Sequence, residues 1–247
     1  MMHFAHTDRG PMPAAAKPAF RHELKYILSA PEAAMLRGRL GGLLRQDSHA
    51  VAQGRYKIRS LYFDDWRSSA YEDKLSGLAR RFKYRVRVYN DSDAEIHLER
   101  KNKQGNYVYK ESASLTRGML EGLLRGDHRP LLQDPQPLCR QFYVDCAVNL
   151  QRPRVLIDYE REPFVCDVGQ VRITFDTNIR AGSVPRDLFD ARAPMINLLG
   201  PDLLILEVKY TGLLPALVRS ALPRGGGMAE AVSKFVLACE KVPYRTR

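Results

Sequence analysis

Basic residues alternate with apolar ones in the segment Phe82–Tyr89, and this alternation is the clearest chemical signal in the chain. A β-strand points successive side chains to opposite faces, so Lys83, Arg85 and Arg87 share one face. Arg85 and Arg87 then lie about 7 Å apart, and like charges this close destabilise a sheet unless an anion lies between them. The pattern predicts either a solvated outer face or a binding site for a polyanion such as polyphosphate.

A second alternating segment follows the residues Asn90-Asp91-Ser92-Asp93. There Ile96 and Leu98 alternate with His97, Glu99 and Lys101, so the two segments together predict a β-hairpin. The second strand adds a lysine and a carboxylate to the charged face.

The composition favours an anionic partner. The 247 residues include 39 Lys and Arg against 28 Asp and Glu, which gives a net charge of +11, and the sequence pI is about 9.6. Nucleic acid, a phosphorylated metabolite or a membrane surface would each fit this charge. No apolar run approaches the ~20 residues of a membrane helix.

The two ends of the chain are expected to lie outside the folded domain. Residues 1–19 are rich in Ala, Pro and His and lack the apolar region of a signal peptide. We expect a flexible N-terminal arm (1–19), one domain (20–242) and a short tail (243–247). Four cysteines without metal-binding spacing are typical of a reducing compartment, so a cytoplasmic protein is expected, with membrane association only through a partner.

The patterns along the chain predict eight strands and four helices. The strands are expected at 20–28, 56–63, 82–89, 95–101, 107–115, 154–161, 171–176 and 203–210, and the helices at 31–45, 116–125, 137–150 and 228–241. Lys74 is expected on a short turn or strand. This combination of antiparallel strands and helices predicts an α+β fold class. Nearly every strand has one apolar and one charged face. Closing the sheet into an eight-stranded antiparallel barrel would remove its edges and create a lumen for one small ligand.

Several short motifs in this order resemble the VTC domain, the polyphosphate polymerase domain of the CYTH-like superfamily of triphosphate tunnel metalloenzymes. The matching segments are His22–Tyr26, Ser60–Asp64, Lys83–Tyr89, Leu98–Lys101, Tyr159–Arg161, Arg172–Asp176, Leu206–Tyr210 and Ser233–Phe235. The resemblance spans residues 20–235 and implies a tunnel-shaped barrel, with flanking helices and a C-terminal helix, that binds a triphosphate.

The resemblance also implies roles for individual residues. The catalytic candidates are Lys25, Arg85, Arg87, Lys101, Arg161 and Lys234. Further phosphate-binding candidates are Lys74, Tyr159, Arg172 and Lys209. The family has arginine where this chain has Lys74, which loses a two-pronged phosphate contact.

A divalent cation, Mn²⁺ or Mg²⁺, is the expected cofactor. The resemblance implies that Glu207 holds it, because a carboxylate would repel phosphate unless a cation bridged the two. Glu23 and Glu99 are additional metal candidates, although either could instead pair with a neighbouring basic residue. Triphosphatases of the superfamily usually begin with Glu-x-Glu-x-Lys, and Arg21 replaces the first of these carboxylates, which weakens the case for hydrolysis.

The leading prediction is an enzyme that transfers the γ-phosphoryl group of ATP to a growing polyphosphate chain. Two alternatives stay open: a triphosphate or polyphosphate hydrolase, and a non-catalytic module that binds polyphosphate or nucleotide. General nucleic-acid binding is less favoured, because the basic residues occupy alternate strand positions and do not form a surface run with stacking aromatics.

Overall fold

The computed structural model describes residues 21–48, 50, 54–105, 107–223 and 232–243. This part of the chain forms ten strands: β1 His22–Ser29, β2 Arg45–Gln46, β3 Tyr56–Asp64, β4 Arg80–Tyr89, β5 Ser92–Gln104, β6 Tyr107–Ser114, β7 Arg152–Cys166, β8 Val171–Gly182, β9 Ile196–Asn197 and β10 Leu203–Tyr210. The helices are α1 Ala30–Gly41, α2 Ser69–Leu75, α3 Arg117–Arg125, α4 Arg129–Leu132, α5 Pro137–Val148, α6 Ala216–Ala221 and α7 Lys234–Lys241.

The eight long strands form one antiparallel sheet in the order β1-β10-β8-β7-β3-β4-β5-β6, and the two short strands pair with β7 and β8. All eight predicted strands are therefore confirmed. The ends of the sheet meet at one antiparallel bridge between Arg21 and Val108. Within the described ranges no longer ladder joins β1 to β6, so closure of the predicted barrel is not shown by the structure.

The predicted hairpin is formed by β4 and β5. Asn90 and Asp91 turn the chain with φ angles of 50° and 54°. Two consecutive positive φ values are required by a type I′ turn, which Asn and Asp tolerate and which matches the twist of antiparallel strands. The turn sets Arg85 opposite Glu99 and Lys83 opposite Lys101.

Helix ends follow the capping signals of the sequence. Ser29 and Glu32 form a reciprocal capping box at the start of α1, and the Thr116 hydroxyl accepts from the Met119 amide at the start of α3. The C-terminal helix begins at Lys234 with Ser233 as its cap. The predicted start at residue 228 and the predicted strand start at residue 20 lie outside the described residues, as do the proposed N-terminal arm and residues 244–247 of the tail.

The prediction for Lys74 is wrong, because this residue lies in the last turn of helix α2. The buried Asp64 carboxylate accepts hydrogen bonds from the Ala70 and Tyr71 amides and so satisfies the first turn of this helix. Burial raises the pKa of Asp64 to about 6, against the effect of these amides. The cap comes from the end of β3, which explains why the polar segment alone did not indicate a helix.

The apolar faces of the strands are covered by helices, and their charged faces line an interior space. Tyr84 and Phe63 on the sheet pack against Phe142 of α5, while Leu36 and Leu40 of α1 belong to a cluster with β8 and β10. No helix in the described ranges is long and apolar enough to cross a bilayer.

Candidate functional site

The charged strand faces converge on two adjoining cavities. The outer chamber has a volume of about 720 Å³, and each of the eight long strands contributes at least one side chain to it. The inner chamber is only about 50 Å³ and is bounded by strand residues and the start of α7. Both chambers are lined by Arg85, Arg87, Lys101, Arg161 and Lys209.

Most of the predicted site residues meet here. The inner chamber is lined by Lys25, Arg85, Arg87, Lys101, Tyr159, Arg161, Glu207, Lys209 and Lys234, and the outer chamber adds Glu23 and Arg172. Glu99 and Lys74 are not part of either lining. The sequence thus identified the side chains that come together, whereas their roles in binding and catalysis stay predictions.

Arg85 is held by two groups on neighbouring strands. Its guanidinium donates to Glu99 Oε2 at 2.6 Å and to the Tyr62 hydroxyl at 3.0 Å. Lys110 donates to the other Glu99 oxygen at 2.5 Å. Burial would raise the pKa of Glu99, but Arg85, Arg87 and Lys110 outweigh it and hold this pKa far below its ordinary value. Because Glu99 lines neither chamber, it is better placed to orient Arg85 than to hold a metal.

Arg161 belongs to a buried network that sequence reasoning did not single out. Asp176 accepts two bonds from Arg161, both at 2.7 Å, and one from Lys234 at 2.6 Å. Arg161 also donates to Glu207 at 3.1 Å. Asp176 therefore fixes both β7 and the start of α7. The alternation of β8 places Asp176 on the same strand face as Arg172, and this was the sequence signal that could have identified Asp176 as a site residue.

A second group of ion pairs lies on β1, β5 and β10. Glu23 binds Lys25 at 2.9 Å and Lys101 at 2.8 Å, and Glu207 binds Lys209 at 3.1 Å. Burial and the nearby Glu207 act to raise the pKa of Glu23, but Lys25, Lys101 and Lys209 bring it down to about 2. Both carboxylates therefore stay ionised among a larger number of ammonium groups.

The residues around Glu207 suit a divalent cation bound together with phosphate. Glu23 and Glu207 lie close enough to influence each other's pKa. Thr174, which pairs with Glu207 across the ladder, has a buried hydroxyl oxygen without a hydrogen-bond partner. In the described part of the chain no cluster of three or more His, Cys, Asp or Glu residues could hold a metal. Mg²⁺ commonly binds through one or two carboxylates plus waters and substrate phosphates, so the donor set fits this mode of binding.

Two further residues of the inner chamber, Lys83 and Tyr62, were not among the predicted site residues. The Lys83 ammonium lies 5.4 Å from the Tyr62 ring centroid. Burial and the nearby Lys101, Lys25 and Arg85 lower the pKa of Lys83 to about 7. Burial would raise the pKa of Tyr62, but Arg85, Lys83 and Arg87 lower it to about 7. Lys83 shares a strand face with Arg85 and Arg87, so the alternation that identified them also pointed to it.

The rim of the site holds the remaining candidates. Arg172 binds Asp47 at 2.9 Å and the Tyr56 hydroxyl at 3.2 Å at the outer chamber. Burial and the positive charges of Arg81, Lys103 and Lys25 lower the pKa of Lys74. Lys74 does not line either chamber.

Comparison with known proteins gave a family and distant structural likenesses. The profile described as VTC domain matches residues 20–242, and a comparison with curated proteins gave no match. A candidate adenylate cyclase from Bacillus halodurans is similar at 11% identity over 78% of this chain and 82% of that chain, with a TM-score of 0.47. A candidate adenylyl cyclase from Hippeastrum, reported with a dominant triphosphatase activity, is similar at 12% identity over 78% and 80%, with a TM-score of 0.47. Likenesses this distant do not bear on the reaction.

Proposed function

The chain belongs to the VTC domain family, and we propose that it is a metal-dependent polyphosphate polymerase that transfers the γ-phosphoryl group of ATP to a polyphosphate chain. The observation that carries this proposal is the convergence of basic side chains from separate strands on the two adjoining chambers. Eleven lysine and arginine residues line the two chambers, against three glutamates. A polyanion is the ligand that such an excess of positive charge favours.

Phosphoryl transfer requires little covalent chemistry from a protein. It requires alignment of the attacking and leaving oxygens and neutralisation of the charge on the phosphoryl oxygens. Glu99 orients Arg85, and Asp176 orients Arg161. The two guanidinium groups therefore need little rearrangement when phosphate binds. At about 4 Å and an effective dielectric of ~20, each such contact contributes about 4 kcal/mol before desolvation.

Mn²⁺ or Mg²⁺ would be held by Glu207 and Glu23, with phosphate oxygens completing its coordination. When bound, the ion would neutralise part of the triphosphate charge and allow phosphate to lie beside these two carboxylates. Lys25, Lys101 and Lys209, which bind the carboxylates in the structure, would then be available to the phosphate chain.

One observation favours a second candidate, a non-catalytic polyphosphate- or nucleotide-binding module. Glu23 and Glu207 are both already paired with basic side chains. A site whose acidic residues only position lysines and arginines could bind a polyanion without any metal. A binding module would use the same cavity as the polymerase and would differ from it only in having no catalytic turnover.

The test is to incubate the purified full chain with ATP and Mn²⁺ and to measure polyphosphate length, free phosphate and ATP binding. Chain growth would support the polymerase. Phosphate release without growth would indicate a hydrolase, and tight binding without product would indicate a binding module. The absence of any ATP or polyphosphate binding would refute all three.

A matched pair of variants assigns the activity to the cavity. Arg87→Met removes a basic group that lines both chambers, and Arg80→Met removes the same charge from an exposed position on the same strand. We expect the first variant to lose at least tenfold in ATP affinity and the second to remain close to wild type. Equal losses would indicate a general effect of net charge.

We also propose that β1 and β6 close the sheet into the eight-stranded barrel. The paired backbone bonds between Arg21 and Val108, at 3.2 and 3.3 Å, support this. A variant with Cys at both positions is expected to form a disulfide on mild oxidation, because directly paired residues of antiparallel strands lie within bonding reach. Failure to crosslink would indicate an open edge.

A further inference from the structure

A groove with a volume of about 1230 Å³ lies apart from the two chambers, where β7 begins and β8 ends. Its lining includes Arg152 and Arg154 of β7 and Ser183, which directly follows β8. Among the described residues, none lines both this groove and a chamber. Arg152 precedes Arg161 by nine residues on the same strand, which at ~3.3 Å per residue is up to roughly 30 Å. A ligand in the groove would therefore leave the chambers open.

The groove has an excess of positive charge. Five arginines line it, against two carboxylates. Arg117 binds both of these carboxylates, Glu121 at 3.1 Å and Asp187 at 3.8 Å. Arg152 and Arg186 are exposed, and neither forms an ion pair with another residue that the structure describes. Their guanidinium groups are therefore free to bind an acidic ligand.

The groove also has an apolar component. Leu123 and Cys146, which line it, are buried, whereas Leu150 lines it and is 44% exposed. The φ angle of Leu150 is 54°, and just past a helix this left-handed conformation favours Gly or Asn. The fold gains little from an exposed leucine in such a conformation. Leu150 is therefore placed to contact an apolar group outside this chain.

Size, shape and charge together favour a segment of another protein as the occupant. Small-molecule sites have volumes of about 300–1000 Å³, so the groove is larger than one small ligand requires. A flat bilayer would not reach the buried Leu123 and Cys146, and the described lining contains no Phe, Tyr or Trp on which nucleic-acid bases could stack. Residues 1–20 and 244–247 of this chain carry more basic than acidic groups, so the groove would repel them.

We propose that this groove docks an acidic amphipathic segment of a partner protein. The acidic side chains of the partner bind Arg152 and Arg186, and its apolar side chains pack against Leu150. An amphipathic helix that lays its apolar face into a groove is a recurrent mode of recognition, with anchors at positions i, i+3 or i+4 and i+7. This interaction surface goes beyond the proposed function, because it involves neither the chambers nor the reaction.

The test is a phage-display selection on the full chain. The library holds peptides of about 16 residues, about 24 Å long as helices, with apolar residues at the anchor positions and acidic, basic or neutral polar residues elsewhere. Excess tripolyphosphate keeps acidic peptides out of the chambers. We expect the selected peptides to carry a net negative charge.

Fluorescence anisotropy with the best selected peptide then locates its binding surface. The double variant Arg152→Gln and Arg186→Gln should bind the peptide about tenfold more weakly. The matched double variant Arg39→Gln and Arg219→Gln, which removes two exposed charges from α1 and α6, should stay within about twofold of wild type. This comparison separates the groove from the chambers even if tripolyphosphate does not bind.

A third variant, Leu150→Asn, tests the apolar contact. Asn tolerates the left-handed conformation at this position, so the fold should be kept while peptide affinity falls about fivefold. High salt should reduce the effect of the two arginine substitutions, because it screens exposed charges, and should leave the effect of Leu150→Asn unchanged. Circular dichroism checks folding, and the single variants Arg152→Gln and Arg186→Gln replace the double variant if it does not fold.

Three results would overturn the proposal. The first is a selection that enriches no acidic peptide, and the second is equal peptide binding by the two double variants. The third is a lipid ligand: wild-type protein binds phosphatidylserine vesicles, the groove variant does not, and no peptide is selected. None of these measurements uses ATP or turnover, so a failure here leaves the proposed function intact, and a failure of that function leaves this proposal intact.

Discussion

Neutralising Asp176 should weaken the whole fold, because this buried carboxylate is bound by two basic groups from different elements. In Asp176→Asn the bidentate contact to Arg161 and the contact to Lys234 would each lose their charge. Removing one partner from a buried ion pair typically costs about 3–5 kcal/mol. Arg161 keeps Glu207 at 3.1 Å, and Lys234 faces the inner chamber. We therefore expect the lower end of the range, about 3 kcal/mol.

Urea unfolding at pH 7, followed by far-UV circular dichroism, measures this loss. Fluorescence is a poor alternative, because the single tryptophan, Trp66, is 60% exposed. With a slope of about 3 kcal/mol per molar urea, the midpoint should fall by about 1 M. The difference from wild type should shrink below about pH 4, because Arg161 and Lys234 outweigh burial and lower the pKa of Asp176, so its stabilising charge is lost as pH falls through that value.

Asp145→Asn is the matched control. Asp145 is also buried, but its contacts are hydrogen bonds from Tyr84, Gln141 and Asn149, so a loss of about 1 kcal/mol is expected. If both variants unfold at the same urea concentration, the Asp176 network does not contribute as its geometry indicates, and the reasoning about oriented basic groups would be wrong.

Three further predictions follow from the site. Between pH 7 and pH 10 the stability of wild type relative to Lys83→Met should rise with pH, by up to about 1.4 kcal/mol per pH unit, because burial lowers the pKa of Lys83 to about 7 and the unfolded lysine binds more protons in this range; urea midpoints at pH 7, 8 and 9 check this, and a flat difference contradicts it. Glu207→Gln should remove the gain in tripolyphosphate affinity on adding Mn²⁺ while leaving metal-free binding within about threefold, as calorimetry with and without chelator would show; an undiminished Mn²⁺ effect would place the metal elsewhere. Arg85→Lys keeps the charge but cannot bond Glu99 and Tyr62 at once, so polymer formation should fall at least tenfold, and full activity would show that only the charge matters.

The sequence by itself determined the strands and the faces they present. Period-2 alternation depends only on the local geometry of an extended chain. The face that Arg85 and Arg87 share therefore does not depend on which strands pair with β4. The turn at Asn90 and Asp91 and the cap at Ser29 also depend on residues close in sequence. The ordered motifs identified the family for the same reason, since each is a short local segment.

Only the tertiary structure decided which charges neutralise each other. Lys101 meets Glu23 across 78 residues of sequence, and Lys234 meets Asp176 across 58. These contacts depend on sheet order, register and curvature, which alternation within one strand does not encode. The same long-range geometry left Lys83 in the inner chamber, where no carboxylate of the described residues lies within ion-pairing distance of it.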